Sequence, residues 1–326
     1  MVNTWKRCLG YAALALVMAG GGMAANAQTK SVSWVVPAPP GGTLDSTGRM
    51  IAQKLGDVLG THIVVENKPG GGGVVAAEYI LNSNRADTIY LLEATQTMAG
   101  IIDQMVANIR YKPIEDLVPV HGLFYLPAVL VTSADSPFNT TEELIEYSRK
   151  KAGGLNLGTT GPGGVGHFYT SKYMTATGVD ATLVHYKGSA PAMQDLIGGN
   201  FDAMFDFLST AMPHIESGRL KAITVMSDSR LGSLPNVPTV KEDGFESALI
   251  TGWVGAFVRK DTPREEISRL SAALAEVLRD PEVKALNERF GQIIMSGMGH
   301  DEFHEFNQKE YVSWGRVAQE LGVNFQ

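Results

Sequence analysis

The hydrophobic pattern near the start of the chain predicts a strand, a stiff loop and a helix in direct succession. The mostly apolar run 32–36 has the length of a buried strand, and segment 37–42 holds three prolines and two glycines. The helix that follows has an apolar face formed by Ile51, Leu55, Val58 and Leu59. Thr43 or Asp45 is placed to cap that helix, whose remaining free N–H groups form a candidate anion site. An ordinary strand–turn–helix junction is the alternative interpretation.

Strand, loop and helix alternate twice more before residue 100. Residues 61–66 and 88–93 are predicted strands; four glycines at 70–73 precede a helix at 74–82, and the loop 94–97 precedes another. Such alternation is typical of a parallel α/β sheet. The ligands of such sheets bind beyond the carboxyl ends of the strands.

The alternation restarts after a long apolar stretch at 118–133, which we interpret as the crossing into a second lobe. The strands predicted beyond it are 155–160, 182–185, 201–207 and 221–226. The predicted helices are 141–152, opened by a capping box at Thr140, a segment from His167, and 190–197. Segment 252–258 is the predicted return crossing. We therefore predict a lobe 1 of residues 28–127 and 252–326, and a lobe 2 of residues 128–251.

The C-terminal part is predicted to be helical. Segment 262–265 has capping-box spacing with a proline at the first helical position. The apolar face of that helix is formed by Ile267, Leu270, Leu274 and Leu278. Asp280 and Pro281 begin another helix, and a last one carries Phe303, Phe306 and Trp314.

The first 27 residues are predicted to be a cleavable secretory signal peptide. Lys6 and Arg7 precede a short apolar region at 9–18, and Ala25-Asn26-Ala27 is a cleavage site, so the mature chain starts at Gln28. Loss of these two cations changes the net charge from −7 to −9 (−7 − 2). An exported acidic chain is a poor partner for nucleic acid or an anionic membrane, and no later segment has the length of a membrane span.

The glycine-rich segment 161–166 follows a predicted strand and formally matches G-x-G-x-x-G. Dinucleotide binding does not suit an exported protein, but glycines that expose amides at a helix N-terminus suit a carboxylate. His167 directly after the segment can donate to that anion or cap the turn.

Catalytic and metal chemistry finds little support in the sequence. The only cysteine, Cys8, is lost with the signal peptide, and the seven histidines show no metal-ligand spacing. His300 and His304 are interpreted as a solvated helix face, and Asp202 as an outward carboxylate. Asp206, at the end of its strand, can face a cleft. We expect no cofactor, no metal and no catalytic residue. The alternative is an exported hydrolase acting on a small carboxylate or ester, with Asp206 and His167 as an acid–base pair.

Six motifs, in order and spacing, resemble one family. They are residues 36–45 (VPAPPGGTLD), 65–73 (VENKPGGGG), 158–167 (GTTGPGGVGH), 186–199 (YKGSAPAMQDLIGG), Arg230 with 234–240 (LPNVPTV), and the pair Gly252-Trp253. The family is the periplasmic solute receptors of tripartite tricarboxylate transporters, also called Bug proteins. The resemblance extends from about Val32 to the C-terminus. One departure is Ala-Asp-Thr-Ile-Tyr at 86–90, where the family usually has Asp-Gly-Tyr-Thr-Leu, and it bears on the register of Thr95 and Gln96.

The resemblance implies a two-lobed, type II-like periplasmic-binding-protein fold. Each lobe would have a mixed, mainly parallel sheet flanked by helices, and two crossover strands would join them. It implies a monomeric periplasmic receptor that captures a small carboxylate for the membrane subunits of the transporter, and the expected ligand is a dicarboxylate, aromatic ones included. Main-chain amides would hold the carboxylate. The implied ligand-binding residues are Pro40, Gly41, Gly42, Thr43, Asp45, Thr95, Gln96, Thr159, Thr160, Gly161, Gly164, Gly166, His167 and Asp206.

Overall fold

The computed structural model describes residues 31–83, 85, 87–106, 108–161 and 165–320. The predicted signal peptide, its cleavage site and Gln28 lie outside these residues, and so does Gly164 of the predicted site. Among the described residues, no helix is both long and apolar enough to cross a bilayer.

The strands of the described chain form two mixed sheets. The strands are β1 (Ser31–Val36), β2 (Ile63–Asn67), β3 (Thr88–Thr95), β4 (Leu117–Leu126), β5 (Ala128–Ser133), β6 (Leu155–Thr159), β7 (Ala181–His185), β8 (Ala203–Phe207), β9 (Leu220–Met226), β10 (Gly252–Arg259) and β11 (Ile293–Ile294). The first sheet has the order β11-β4-β10-β3-β1-β2, and the second has the order β7-β6-β8-β5-β9.

Helices connect and flank these strands. They are α1 (Thr43–Leu59), α2 (Val74–Leu81), α3 (Ile102–Met105), α4 (Pro113–Asp116), α5 (Thr141–Lys150), α6 (Val165–Thr177), α7 (Ser189–Ile197), α8 (Leu208–Glu216), α9 (Arg264–Val277), α10 (Pro281–Arg289) and α11 (His300–Glu320). Apolar clusters lie on both faces of each sheet, and Trp34 and Phe205 are fully buried in two of them. Burial on both faces explains why the strands of the sequence are apolar runs rather than alternating patterns.

Strand register places the ends of several strands at one edge of each sheet. In the first sheet Val36 pairs with Asn67, Thr95 with Val254, and Gly252 with Leu126. In the second sheet Ala128 pairs with both Phe207 and Met226, and Thr159 pairs with His185. Only Pro127 separates β4 from β5, so the two edges are adjacent where the chain crosses. The loops that leave these strand ends therefore lie where the two sheets meet.

Several predictions from the hydrophobic pattern are wrong in detail. Val58 is 39% exposed, because the buried stripe of α1 runs through Ile51, Ala52 and Leu55 instead. The predicted capping box at 262–265 does not form, since Pro263 occupies the N-cap and no side chain bonds there. The helix α8 was not predicted.

The expectation of mixed sheets flanked by helices is confirmed, although parallel pairings are not in the majority. Among the described strands, two of the five pairings in the first sheet and two of the four in the second are parallel. The antiparallel pairings all involve β4, β5 or β10, because the chain reverses direction at the strands next to the crossings.

Candidate functional site

The first half of the candidate site is the loop after β1 together with the N-terminus of α1. Pro40, Gly41 and Gly42 are exposed, and Thr43 is half-buried. Gly42 is the N-cap residue, and no side chain accepts a hydrogen bond there. Neither Thr43 nor Asp45 therefore caps the helix as predicted. The first amides of α1 remain open toward the crossing edge, with the positive end of the helix dipole behind them.

Asp45 anchors this loop. Its carboxylate accepts hydrogen bonds from the Gly41 amide at 2.8 Å, from Asn67 Nδ2 at 2.7 Å and from Arg49 Nε at 3.0 Å. Burial of Asp45 acts to raise its pKa, but the bonds from Arg49, Gly41 and Asn67 outweigh it and leave the pKa below the usual range. The predicted use of the Gly41 amide for the anion is thus corrected, because Asp45 already occupies it.

A buried acid lies beneath the same helix. Glu93 of β3 is fully buried and accepts a hydrogen bond from the Trp34 indole at 2.8 Å, while its Oε1 has no partner among the described residues. Burial raises its pKa to about 8, so it is neutral at pH 7. Gly48 leaves room for it, since a Cβ there would lie 2.3 Å from Glu93 Oε2.

Thr95 and Gln96 occupy different places at the end of β3. Thr95 is the last strand residue and is half-buried. Gln96 is buried against the return strand, where its Oε1 accepts from the Trp253 amide at 3.3 Å. Its Nε2 has no partner among the described residues. Gln96 therefore belongs to the junction between the sheets rather than to an exposed loop.

Tyr169 of α6 joins that junction to the second sheet. Its hydroxyl donates to the Leu126 carbonyl at 2.7 Å and accepts from the Gly252 amide at 2.7 Å. One phenol thus holds both crossing segments, immediately before β5 and at the start of β10. The sequence-based prediction missed this residue, because a helical tyrosine carries no signal of a partner so distant in the chain.

The second half of the candidate site is the end of β6 and the start of α6. Thr159 is buried, and its hydroxyl lies 2.7 Å from His185 Nδ1. The half-buried His167 ring packs edge-on against His185 with 5.0 Å between centroids, and burial, then the neighbouring His185, lowers the pKa of His167. A Cβ on Gly166 would lie 3.2 Å from the hydroxyl oxygen of the half-buried Thr160.

Asp206 lies at the end of β8, next to this half. Its Oδ1 accepts from Ser189 Oγ at 3.0 Å and from the Phe207 amide at 2.8 Å. Its Oδ2 is buried and has no partner among the described residues, and burial raises the pKa of Asp206 to about 6. Ser189 starts α7, so Asp206 fixes the beginning of that helix.

The structure tests two further predictions, one on Asp202 and one on His300 and His304. Asp202 is not simply outward: it pairs with Lys151 at 2.6 Å and accepts the Asn156 amide at 2.7 Å. His304 is exposed as predicted, but the half-buried His300 bonds the Pro119 carbonyl at 2.7 Å.

The arrangement suits anion binding better than acid–base catalysis. The open amides at the start of α1 and the end of β6 lie at adjacent sheet edges, and neither 37–43 nor 159–167 contains Lys or Arg in its sequence. Asp206 Oδ1 accepts from Ser189, and the His167 ring packs on His185. Among the described residues, no three His, Asp or Glu side chains are grouped to hold a metal.

Comparison with known proteins gives a consistent family match. A family sequence model described as the tripartite tricarboxylate transporter family receptor matches residues 47–323. The protein BugT of Bordetella pertussis is 30% identical over 302 residues, which cover 91% of this chain and 91% of the relative.

Solved structures share the fold over nearly the whole chain. An R. palustris protein solved with adipate has a TM-score of 0.79 at 28% identity and covers 91% of this chain and 98% of its own. MatC from Rhodopseudomonas palustris, solved with bound malate, has a TM-score of 0.73 at 27% identity, with 88% and 98% covered. These matches confirm the two-lobed periplasmic-binding-protein fold and the family resemblance predicted from the motifs.

Proposed function

This chain belongs to the receptor family of tripartite tricarboxylate transporters, and on that premise we propose that it captures a small carboxylate in the cleft between two lobes. Lobe 1 comprises residues 28–127 and 252–326, and lobe 2 comprises residues 128–251. The loaded receptor, a periplasmic monomer, delivers its ligand to the membrane subunits of such a transporter. It is a binding protein and not an enzyme.

The observation that carries this proposal is the uncapped start of α1, at a sheet edge adjacent to the one where β6 ends. The amides of α1 after the exposed Gly42 supply donors without a competing side-chain cap. Thr160, Gly161 and the start of α6 supply the opposing donors, and the buried Thr159 and Gly166 shape that loop. Backbone amides and helix dipoles stabilise a carboxylate without a formal cation.

The remaining predicted residues have supporting roles in this proposal. Asp45 keeps the first loop in place, Gln96 positions the crossing strand, and Thr95 borders the cleft. His167 and Asp206 line the lobe-2 side, where they select the rest of the ligand. The structures solved with adipate and malate make a dicarboxylate the first candidate.

A thermal-shift screen tests the proposal directly. Ligands that bind only the native state raise its stability by about 2.7 kcal/mol at a concentration 100-fold above Kd. A rise of about 5 °C or more is therefore expected with at least one dicarboxylate, against matched amides or alcohols as controls. A screen of mono-, di- and tricarboxylates, aromatic ones included, with no shift would contradict it. Formation of a product from any of them would favour the hydrolase instead.

A further inference from the structure

A cavity lies beside the first sheet, next to β11 and the helices α9, α10 and α11. Its volume is about 470 Å³, and it is lined by parts of α9, α10, the segment after β11 and the start of α11. The polar side chains that matter in it are His121, Ser271, Arg264, Arg279, Lys284 and Glu302. The cavity has the size of a small-molecule site.

His121 presents one ring nitrogen to this cavity. The residue is 3% exposed, and its Nδ1 lies 3.2 Å from Ser271 Oγ. Ser271 Oγ accepts the His300 amide at 3.1 Å, so its own hydrogen is free for Nδ1. Burial lowers the pKa of His121 to about 4, so the ring is neutral at pH 7, and in the tautomer that accepts from Ser271 it carries its proton on Nε2. Nε2 has no partner among the described residues, which leaves one oriented donor.

Three cations line the same cavity. Arg279 and Lys284 are exposed and form no ion pair among the described residues. Arg264 forms an ion pair with Asp301, with 3.4 Å between Nη2 and Oδ1. The positive end of the 21-residue helix α11 adds to them. Glu302 is the opposing charge, and with Arg279 it acts on the pKa of His121. An N–H donor, two cations that form no ion pair among the described residues and a helix start together match an oxyanion.

We propose that this cavity is a second anion site, separate from the inter-lobe cleft, which binds a small oxyanion through His121 Nε2, Arg279 and Lys284. His121 precedes the end of β4 by five residues, or about 16 Å of strand. The proposal therefore stands independently of the carboxylate in the cleft.

Histidine-selective nitrogen NMR with inorganic phosphate as the probe tests the site on the whole mature protein. The chain has seven histidines, so each ring gives an assignable signal, with His121→Gln identifying its own. Phosphate should shift the His121 Nε2 signal in a saturable way, whereas His167 and His185 report on the cleft. Shifts confined to the cleft histidines, or none across the titration, would overturn the proposal.

Charge variants provide a matched control. Arg279→Ala with Lys284→Ala removes two exposed cations and should weaken phosphate binding about tenfold or more. Arg149→Ala with Lys150→Ala removes the same charge from α5 and should leave Kd near the wild-type value. Glu302→Gln should tighten binding, because it removes the opposing carboxylate. If both double variants weakened phosphate binding equally, the effect would come from net charge alone, and the proposed site would be refuted.

Titrations with acetate and sulfate show which class of oxyanion the site prefers. A preference for sulfate or phosphate over acetate would identify a tetrahedral anion, and the reverse order would identify a carboxylate. Either order supports an oxyanion site, whereas an equal response to chloride contradicts it.

Discussion

The two halves of the candidate site differ in how they respond to protons. In the lobe-1 half, Asp45 is held ionised by Arg49, Gly41 and Asn67, and Glu93 below it stays neutral because its pKa is about 8. In the lobe-2 half, His167 has a lowered pKa and Asp206 has one raised to about 6. Between pH 5 and 7 the first half therefore keeps its charge, while the second half changes it.

This difference assigns different tasks to the two halves. A loop of constant charge with open amides is suited to holding a carboxylate under all conditions. A half with a buried, partly unsatisfied carboxyl and a histidine pair is suited to selecting the rest of the ligand and to making binding depend on pH. Changes in the first half should then alter affinity for every ligand, and changes in the second should alter selectivity and pH dependence.

The largest effect is expected from Gly42→Val. The backbone of Gly42 is extended, with φ −79° and ψ 175°, and a Cβ there meets only the Pro39 carbonyl at 3.8 Å, so the fold should tolerate valine. The side chain would cover the open start of α1 and block the anion. Losing two or three charge-assisted hydrogen bonds costs several kcal/mol, which corresponds to roughly a hundredfold or more in Kd by calorimetry.

Gly42→Ala provides a graded control for that experiment. Its smaller side chain should weaken binding less than valine, and circular dichroism should show both variants folded. Wild-type affinity in the folded valine variant would show that the anion does not approach α1.

Asp45→Ala is expected to give the largest loss of stability in the first half. It leaves the Gly41 amide and Asn67 without their shared acceptor, the buried Asp45 carboxylate, which should lower the free energy of unfolding by about 2–4 kcal/mol in urea denaturation. Asp57→Ala, an exposed aspartate on the same helix, is the matched control and should change it by less than about 0.5 kcal/mol. Equal losses would mean that the network does not hold the loop.

The fold was largely predictable because its signals are local. Apolar runs bounded by glycine and proline predict the limits of β1, β6 and β8 within one or two residues. These strands are recognisable because a strand that is buried on both faces is a nearly continuous apolar run. Strand direction was not predictable: β10 pairs with β3 and β4 only after a long excursion through the second sheet, and residue patterns do not encode that pairing.

The candidate site was predictable in its loops but not in its contacts. Glycines mark the exposed loop at Gly42, yet nothing local shows that the Gly41 amide is already used by Asp45. His185 and Tyr169 were missed because their partners, Thr159 and Leu126, lie far away in the chain. Asn67 had a signal in the motif 65–73, and a strand-end amide next to β1 could have been identified from it.

Asp206→Asn tests the pH response of the second half. A folded-state pKa of about 6, against 3.8 unfolded, gives a contribution to stability that is present below pH 4 and is lost as the pH rises through 6. A shift of about two units corresponds to roughly 3 kcal/mol. The difference in unfolding free energy between wild type and Asp206→Asn should therefore fall by up to that amount between pH 4 and 7, as urea titrations at several pH values would measure.

Carboxylate affinity should follow the same change. Ionised Asp206 repels an anionic ligand, so wild-type affinity should decrease above pH 6 and the asparagine variant should lose that decrease. Asp202→Asn, at the other end of the same strand and paired with Lys151, should keep the wild-type pH profile of binding. Identical profiles in wild type and Asp206→Asn would remove the contrast between the two halves.

The smallest effect is expected from Lys187→Ala. Lys187 is an exposed cation in the loop between β7 and α7 and has no ion pair among the described residues, so it is the available side chain in that loop for a direct salt bridge to a ligand. Exposed ion pairs contribute about 0–1 kcal/mol, whereas backbone amides at a helix start act as a fixed group. We therefore expect calorimetry to give a Kd within about threefold of wild type, far from the loss in Gly42→Val. A hundredfold loss in Lys187→Ala together with normal binding by Gly42→Val would reverse the assignment. The second half would then hold the anion by charge, and the open start of α1 would be only a turn.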